Sequence, residues 1–255
     1  NVLLRNIANV QGVLNVAAGG VLSIAGGIAA DYQGVVPDGA QGVMNFSGGT
    51  LQYRISAANI TTTPTSWYYG YNCNKTWMGG WTHAYLYAGG LTVDTQSYTG
   101  AFDMALETAA GSGVTAVTLV DGGAGYTAAP IVQFVGGVTV GDGTEAQAVA
   151  TWDQATGQVT GVVVVNPGQY SALPTGIQLV STNTVDTWTT AATVEIGGTA
   201  SNAGGGLTKK GTGTLTLNGA NTYTGATVVE AGILGLTGDF LADESTVELW
   251  AGAKL

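Results

Sequence analysis

The sequence predicts an all-β protein, a solenoid of stacked coils carrying an inserted small β-sandwich or β-hairpin module. Three observations lead there. Apolar residues alternate with polar ones in short bursts throughout the chain; a glycine-centred corner recurs; and an unrelated strand–turn–strand unit occurs twice between the corners.

The alternation is plainest at Thr212 to Leu217, where Leu215 and Leu217 share one face and Thr214 and Thr216 the other. Helical periodicity is nearly absent. The segment Ala101 to Ala110 (AFDMALETAA) is the one short helix expected. The corner reads AGGVL (Ala18 to Leu22), SGGTL (Ser47 to Leu51), AGGL (Ala88 to Leu91), AGIL (Ala231 to Leu234) and AGAKL (Ala251 to Leu255). Glycine reaches positive φ without a Cβ clash, so the chain can turn sharply there and the following Leu point inward. Spacings near 20 to 30 residues, where corners are close, suit one coil per corner, with coils stacked at about 4.8 Å.

The second repeat pairs VTAVTLVDGGAGYTAAPIVQFV (Val114 to Val135) with VTGVVVVNPGQYSALPTGIQLV (Val159 to Val180). Tyr126 and Tyr170, and likewise Pro130 and Pro174, are 44 residues apart. The segment between the copies predicts a hairpin around Thr156 and Gly157. The expected organisation is a solenoid over residues 1–100, with an aromatic-rich excursion at about 60–87, an inserted duplicated module over 101–200, and solenoid again over 201–255.

Composition narrows the function classes. The 255 residues include 42 glycines, only 9% are charged, and 45% are hydrophobic, which is too apolar for a disordered linker. Net charge is −10, and between Lys75 and Lys209 there are nine acidic residues and no Lys or Arg. Such a surface repels phosphate backbones, so nucleic acid is not an expected partner. No apolar run approaches the roughly 18 to 20 residues of a membrane helix, so no membrane insertion by this segment is expected. Cys73 is alone, which rules out an intrachain disulfide. The start at Asn1 and the strand-like pattern running to Leu255 give the expectation of a piece of something longer.

One segment carries a resemblance. Gly206, Leu207, Thr208, Lys209, Gly211, Gly213, Thr214, Leu215, Leu217, Gly219, Asn221, Tyr223, Gly225, Val229, Gly232, Leu234 and Leu236 fall in register with a "GLTKxGxGTLTLxGxNTYTGxTxVxxGxLxL" pattern. The stretch resembles the autotransporter-associated β-strand repeat of large bacterial surface proteins. Met78 to Leu106 is similar to the segment that precedes that repeat. GSG (Gly111 to Gly113) and GGLTK (Gly205 to Lys209), usually continuous in those proteins, are separated here, in line with an insertion. The duplicated GGxGYxxAP unit resembles a Gly-rich β repeat of phage fibres and bacterial surface proteins. The resemblance implies a right-handed parallel β-helix in a secreted or surface-displayed stalk, adhesin or passenger domain.

The strongest local anomaly is aromatic: Trp67, Tyr68, Tyr69, Tyr71, Trp77, Trp81, Tyr85 and Tyr87 lie within 21 residues. They either bind glycans by stacking on sugar rings or pack together as a mini-core. GGAGYTAAP lacks the Asp that a calcium-binding β-roll needs where Tyr126 stands, so it reads as a structural turn. Asp142 and Glu145 read as a solvated turn. His83 is the sole histidine, and Asp243 and Glu244 would face opposite ways in a strand, so no catalytic constellation is expected. The Gly-rich runs lack the Lys-Ser/Thr and helix of a phosphate loop. No metal and no cofactor is expected.

The sequence therefore predicts an extracellular structural or adhesive surface protein, a rigid stalk or a filament subunit. Its self-association would be end to end, or the solenoid would continue in a longer chain. The candidate stacking residues are Val2, Leu3 and Leu4 at one end and Val247, Leu249 and Leu255 at the other. A glycan-binding adhesin module using residues 67–87 is the alternative, and a polysaccharide-degrading enzyme a third.

Overall fold

The computed structural model describes residues 2–3, 11–25, 28–29, 41–56, 78–79, 81–180, 188–237, 241 and 245–255. The chain splits into two compact units, Asn1–Thr108 with Ala203–Leu255 (unit 1) and Ala109–Asn202 (unit 2). All regular structure among the described residues is β-strand.

Unit 1 begins with β1 (Val2–Leu3), β2 (Gln11–Ala17), β3 (Val21–Ile24), β4 (Ile28–Ala29), β5 (Gln41–Ser47) and β6 (Gly49–Tyr53). It continues through β7 (Met78–Gly79), β8 (His83–Leu86), β9 (Leu91–Asp94), β10 (Gly100–Phe102) and β11 (Glu107–Thr108). Unit 2 holds β12 (Ser112–Asp121), β13 (Ile131–Val135), β14 (Val138–Thr139) and β15 (Gln147–Asp153). It also holds β16 (Gln158–Asn166), β17 (Tyr170–Ala172), β18 (Gly176–Val180) and β19 (Thr193–Ser201). Unit 1 resumes with β20 (Leu207–Lys210), β21 (Thr214–Leu217), β22 (Thr227–Val229), β23 (Ile233–Leu236) and β24 (Val247–Leu249).

Unit 1 is three sheets whose strands pair in parallel: β1-β4-β7-β10-β21-β23, β11-β8-β5-β2, and β24-β22-β20-β9-β6-β3. The chain visits them in a fixed rotation: β2, β3, β4, then β5, β6, β7, then β8, β9, β10. After β11 the next unit 1 strands are β20 and β21, so the rotation resumes in the sheets that are next in turn.

Register stacks like over like. Val16, Phe46 and Leu86 align across one sheet, and Leu22, Leu51, Val93, Lys209, Val229 and Leu249 across another. Met78, Phe102, Leu217 and Leu236 align in the third. Apart from Lys209 and the exposed Leu249, these side chains meet in one core, in which Phe46, Leu51, Met78, Leu86, Phe102, Leu217 and Val229 are fully buried. Each such burial contributes roughly 1.5–3 kcal/mol.

All five expected corners carry a glycine at positive φ: Gly19 (76°), Gly48 (100°), Gly90 (68°), Gly232 (73°) and Gly252 (87°). They occupy two different corners of the rotation. The first three precede β3, β6 and β9, whereas Gly232 precedes β23 and Gly252 follows β24. Leu51, Leu91 and Leu234 are buried after their corners, but Leu255 is 60% exposed, because no further layer covers it among the described residues.

The helix expected over Ala101 to Ala110 is absent. β10 and β11 stand there instead, paired with β7, β21 and β8 of unit 1. Pairing of Ala101 with Thr216 and burial of Phe102 and Leu106 outweigh the weak helical pattern.

Unit 2 is built differently, from two four-stranded sheets, β14-β17-β12-β19 and β16-β15-β13-β18, with antiparallel pairing throughout. Side chains of both sheets mix in two small cores, one around Val114, Ala146 and Tyr170 and one around Tyr126, Ala150 and Val159. The sequence duplication is visible in the pairing. β13 and β18 lie side by side with Gln133 opposite Gln178, the equivalent positions of the two copies. The hairpin β15–β16 turns through residues 154–157 with Gly157 at φ 64°. Tyr126 and Tyr170 are buried alike, and each phenol oxygen accepts a hydrogen bond from a backbone amide, Ala192 N–H at 2.8 Å and Ala146 N–H at 2.6 Å.

Each tyrosine therefore satisfies a backbone donor. Replacing Tyr126 or Tyr170 by Phe is expected to destabilise unit 2 by about 1–3 kcal/mol, the cost of orphaning a buried donor, with the fold intact. Urea unfolding followed by Trp152 and Trp188 fluorescence checks this; an unchanged midpoint in both variants contradicts it.

Candidate functional site

The expected site residues scatter. Trp67, Tyr68, Tyr69, Tyr71 and Trp77 lie outside the described residues, as do Leu4, Cys73, Asp243 and Glu244. Trp81, Tyr85 and Tyr87 are buried, with Trp81 in the unit 1 core, so they present little ring face to a sugar. Val2 and Leu3 form β1, while Val247, Leu249 and Leu255 are exposed together with Trp250.

His83 pairs with Glu107, its Nδ1 lying 3.0 and 3.2 Å from the two carboxylate oxygens, and its ring stacks on Tyr85 at 5.1 Å. Both residues lie on the sheet β11-β8-β5-β2, where Tyr85 aligns with Glu107. On the same face Asn45 Nδ2 donates to Asn15 Oδ1 at 2.9 Å. In unit 2, Asp142 and Glu145 are exposed at a turn closed by Gly143 N–H donating to Val140 O. In the GGAGY turn Asp121 Oδ1 accepts from Gly123 N–H at 2.8 Å, with Gly123 and Gly125 at positive φ. Among the described residues no three His, Cys, Asp or Glu side chains are grouped to hold a metal ion, and no helix is long and apolar enough to cross a membrane.

The best-built polar constellation is one the sequence reading passed over. In β20, Leu207 and Lys209 share the inward face, so a lysine occupies a core position between Val93 and Val229. Its side chain is fully buried. Nζ, with three protons to donate, lies within hydrogen-bonding distance of Gly211 O (2.6 Å), Gly213 O (2.7 Å), Thr95 Oγ1 (2.9 Å), Ala231 O (2.9 Å) and Lys210 O (3.2 Å). The Thr95 hydroxyl is turned to accept because its own proton goes to Lys210 O at 2.9 Å. These oxygens belong to the turns that follow β9, β20 and β22, three neighbouring strands of one sheet. Burial pushes Lys209 down to about 8, against the opposing pull of the Asp94 carboxylate. The signal in the sequence was the alternation itself, which puts Lys209 on the same side as Leu207.

The rest of the segment has equally specific tasks. Between β21 and β22 no strand is formed, and Asn221 takes over the pairing: its Oδ1 accepts from Leu106 N–H at 2.9 Å, while Thr222 N–H donates to Leu106 O. Tyr223 fills the core there, its hydroxyl sharing a 2.7 Å hydrogen bond with Thr227. At Gly213 a Cβ would run into Tyr98 O on the neighbouring layer, and at Gly232 into Gly213 O.

These strands, β20 to β23, coincide with a family model. Residues 207–236 match the passenger-associated-transport-repeat. No curated protein and no solved structure matches the chain. The matched span contains Lys209, Gly213, Asn221, Tyr223 and Gly232, the positions just described.

Beside the cage, a polar row runs along the outward face of the same sheet. Ser23 donates to Gln52 (3.3 Å), and Gln52 to Asp94 Oδ2 (3.2 Å). Asp94 Oδ1 accepts from Gln96 N–H (2.9 Å), and the Gln96 side chain also donates to Asp94. Partial burial pushes the Asp94 carboxyl up, but these hydrogen bonds and the Lys209 charge outweigh it and hold it below the usual carboxylate range. A depressed carboxyl stabilises the fold above its unfolded value of about 3.9, and that contribution is lost as pH falls through the lower folded value. The urea midpoint of unit 1 is therefore expected to drop on acidification below about pH 4. Asp94→Asn should flatten that acid limb; an identical limb in the variant contradicts the assignment.

Proposed function

We propose that the chain is a structural element of a secreted, surface-displayed passenger, with unit 1 a right-handed parallel β-helix acting as a rigid stalk. The observation that carries this reading is the fixed rotation of the chain through three parallel sheets held in register. The transport repeat at residues 207–236 supports the surface location. Such an arrangement joins every layer to the next by backbone hydrogen bonds, which suits a stiff, protease-resistant rod. Few charges and an acidic balance keep its surface from binding anionic polymers without specificity.

The rod is proposed to extend by stacking. β3 and β24 are the two edges of one sheet and run in the same direction, so β3 of a second copy can add to β24 without reversing the sheet. Leu249, in register with the core column of Leu51, Val93 and Val229, is 45% exposed at that edge, beside Trp250 at 50%.

Sedimentation velocity and negative-stain electron microscopy test both parts. Elongated particles that lengthen reversibly with concentration are expected. Leu249→Lys should leave the particles elongated but cut self-association by tenfold or more, since it places a charge on an apolar stacking face. Globular particles would overturn the stalk, and unchanged association in the variant would overturn the stacking surface.

A further inference from the structure

The cage around Lys209 is built entirely of oxygen acceptors. Five oxygens converge on one nitrogen, four of them backbone carbonyls and the fifth a hydroxyl whose proton is committed elsewhere. Two of them serve other donors as well, Lys210 O accepting from Thr95 N–H (3.0 Å) and Thr95 Oγ1–H (2.9 Å) and Gly213 O from Ile233 N–H (3.2 Å), while Gly211 O, Ala231 O and Thr95 Oγ1 face the nitrogen. Carbonyl dipoles aimed together at a buried position create a strongly negative site, and leaving such groups unpaired is costly. A water molecule could donate to two of them; an ammonium donates to three and supplies a full positive charge. The oxygens stand 2.6–3.2 Å from the nitrogen, mostly beyond the contacts of about 2.3–2.6 Å that Ca²⁺ makes or about 2.0–2.1 Å that Mg²⁺ makes. The set suits a larger monovalent cation.

We propose that this cage is a monovalent-cation site whose resident ion is tethered: the Lys209 ammonium holds three neighbouring turns together as a bound potassium or ammonium ion would. The chain thus carries internally what calcium-dependent β-rolls take from solution. The contacts reach from Thr95, after β9, through Lys210, the last residue of β20, and Gly211 and Gly213, after it, to Ala231, after β22. One charge therefore links two turns of the transport repeat to the strand that precedes it in the sheet. Gly232 belongs to the same device. Its φ is 73°, and a Cβ there would stand 2.7 Å from Lys209 Nζ and closer still to Gly211 O and Gly213 O, inside the cage. The corner glycine keeps the cation's space open as well as turning the chain.

The proposal is independent of the stalk reading, because its test reads stability and cation selectivity rather than shape. The full chain and the variants Lys209→Met, Lys209→Ala and Gly232→Ala are refolded and melted in ammonium, potassium, lithium and tetramethylammonium chlorides at one ionic strength, with chelator present. The native chain should melt at the same temperature in potassium, lithium and tetramethylammonium salts. Lys209→Met should melt well below it and respond to none of the four salts, since its thioether fills the space without donors. Lys209→Ala, with the cage vacant, should be destabilised and then raised by several degrees in ammonium and potassium over lithium and tetramethylammonium. Gly232→Ala should be destabilised although the lysine is retained.

A Lys209→Met protein as stable as the native chain would overturn the proposal, and so would a Lys209→Ala response equal in all four salts. Should Lys209→Ala fold in none of them, the native protein decides the matter by nitrogen-15 NMR of its lysine ammonium groups. A slowly exchanging ammonium, lost in Lys209→Met, is the expected signal, and its absence from the native chain overturns the proposal.

Discussion

Unit 1 depends on one constraint: parallel strands in register put each residue directly over its counterpart, one strand spacing away. At about 4.8 Å there is room for the backbone and little else where the chain bends. Gly213 facing Tyr98 O and Gly232 facing Gly213 O are consequences of that spacing, since any Cβ would collide with the neighbouring layer. The same spacing makes columns of like residues, so Leu22, Leu51, Val93, Val229 and Leu249 form an apolar column interrupted only by Lys209 between Val93 and Val229. It also aims the carbonyls of successive turns at a shared point, and Lys209 answers that with a buried charge.

Unit 2 solves the burial problem without stacking. Its two copies pair β13 with β18, and a strand that follows each copy pairs with the first strand of the other: β15 with β16, and β19 with β12. The result is closed, with Ser112 opposite Ser201 near where the segment enters and leaves. Asn202 reinforces that meeting point, donating to Ala110 O at 2.7 Å and to Gly168 O at 2.9 Å. A segment whose two ends meet can be accommodated between β11 and β20 without altering the order in which unit 1 uses its sheets. The physical requirement on unit 1 is slight: its next strand begins where the rotation needs it.

Much of this was legible in residue order. Leu215, Leu217, Val229 and Leu234 are buried where alternation places them, and Gly19, Gly48, Gly90, Gly232 and Gly252 turn the chain where the corners predict. The hairpin at Thr156 and Gly157 has its strands, and the paired tyrosines have matching roles. Ala101 to Ala110 misled because AFDMALETAA holds good helix formers, whereas its backbone partners, Met78 and Thr216, are remote in sequence. Trp81, Tyr85 and Tyr87 are buried, Trp81 in the unit 1 core, yet residue type by itself does not distinguish an aromatic that stacks on a sugar from one that packs inside the protein.

What the sequence by itself determined is local: which residues alternate, where the chain turns, that two different β patterns are present, and that residues 207–236 follow a transport-repeat pattern. Tertiary structure alone decided which strand lies on which. Leu207 sits beside Leu91, Gly100 beside Leu215, and Lys209 beneath the turns after β9, β20 and β22. Alternation has a period of two and repeats identically in every strand, so it specifies a face and not a neighbour. The neighbour follows from stacking the whole set of layers at once. The lysine at an inward position of "GLTKK" stands out as a site only when oxygens from three separate turns have been brought around it.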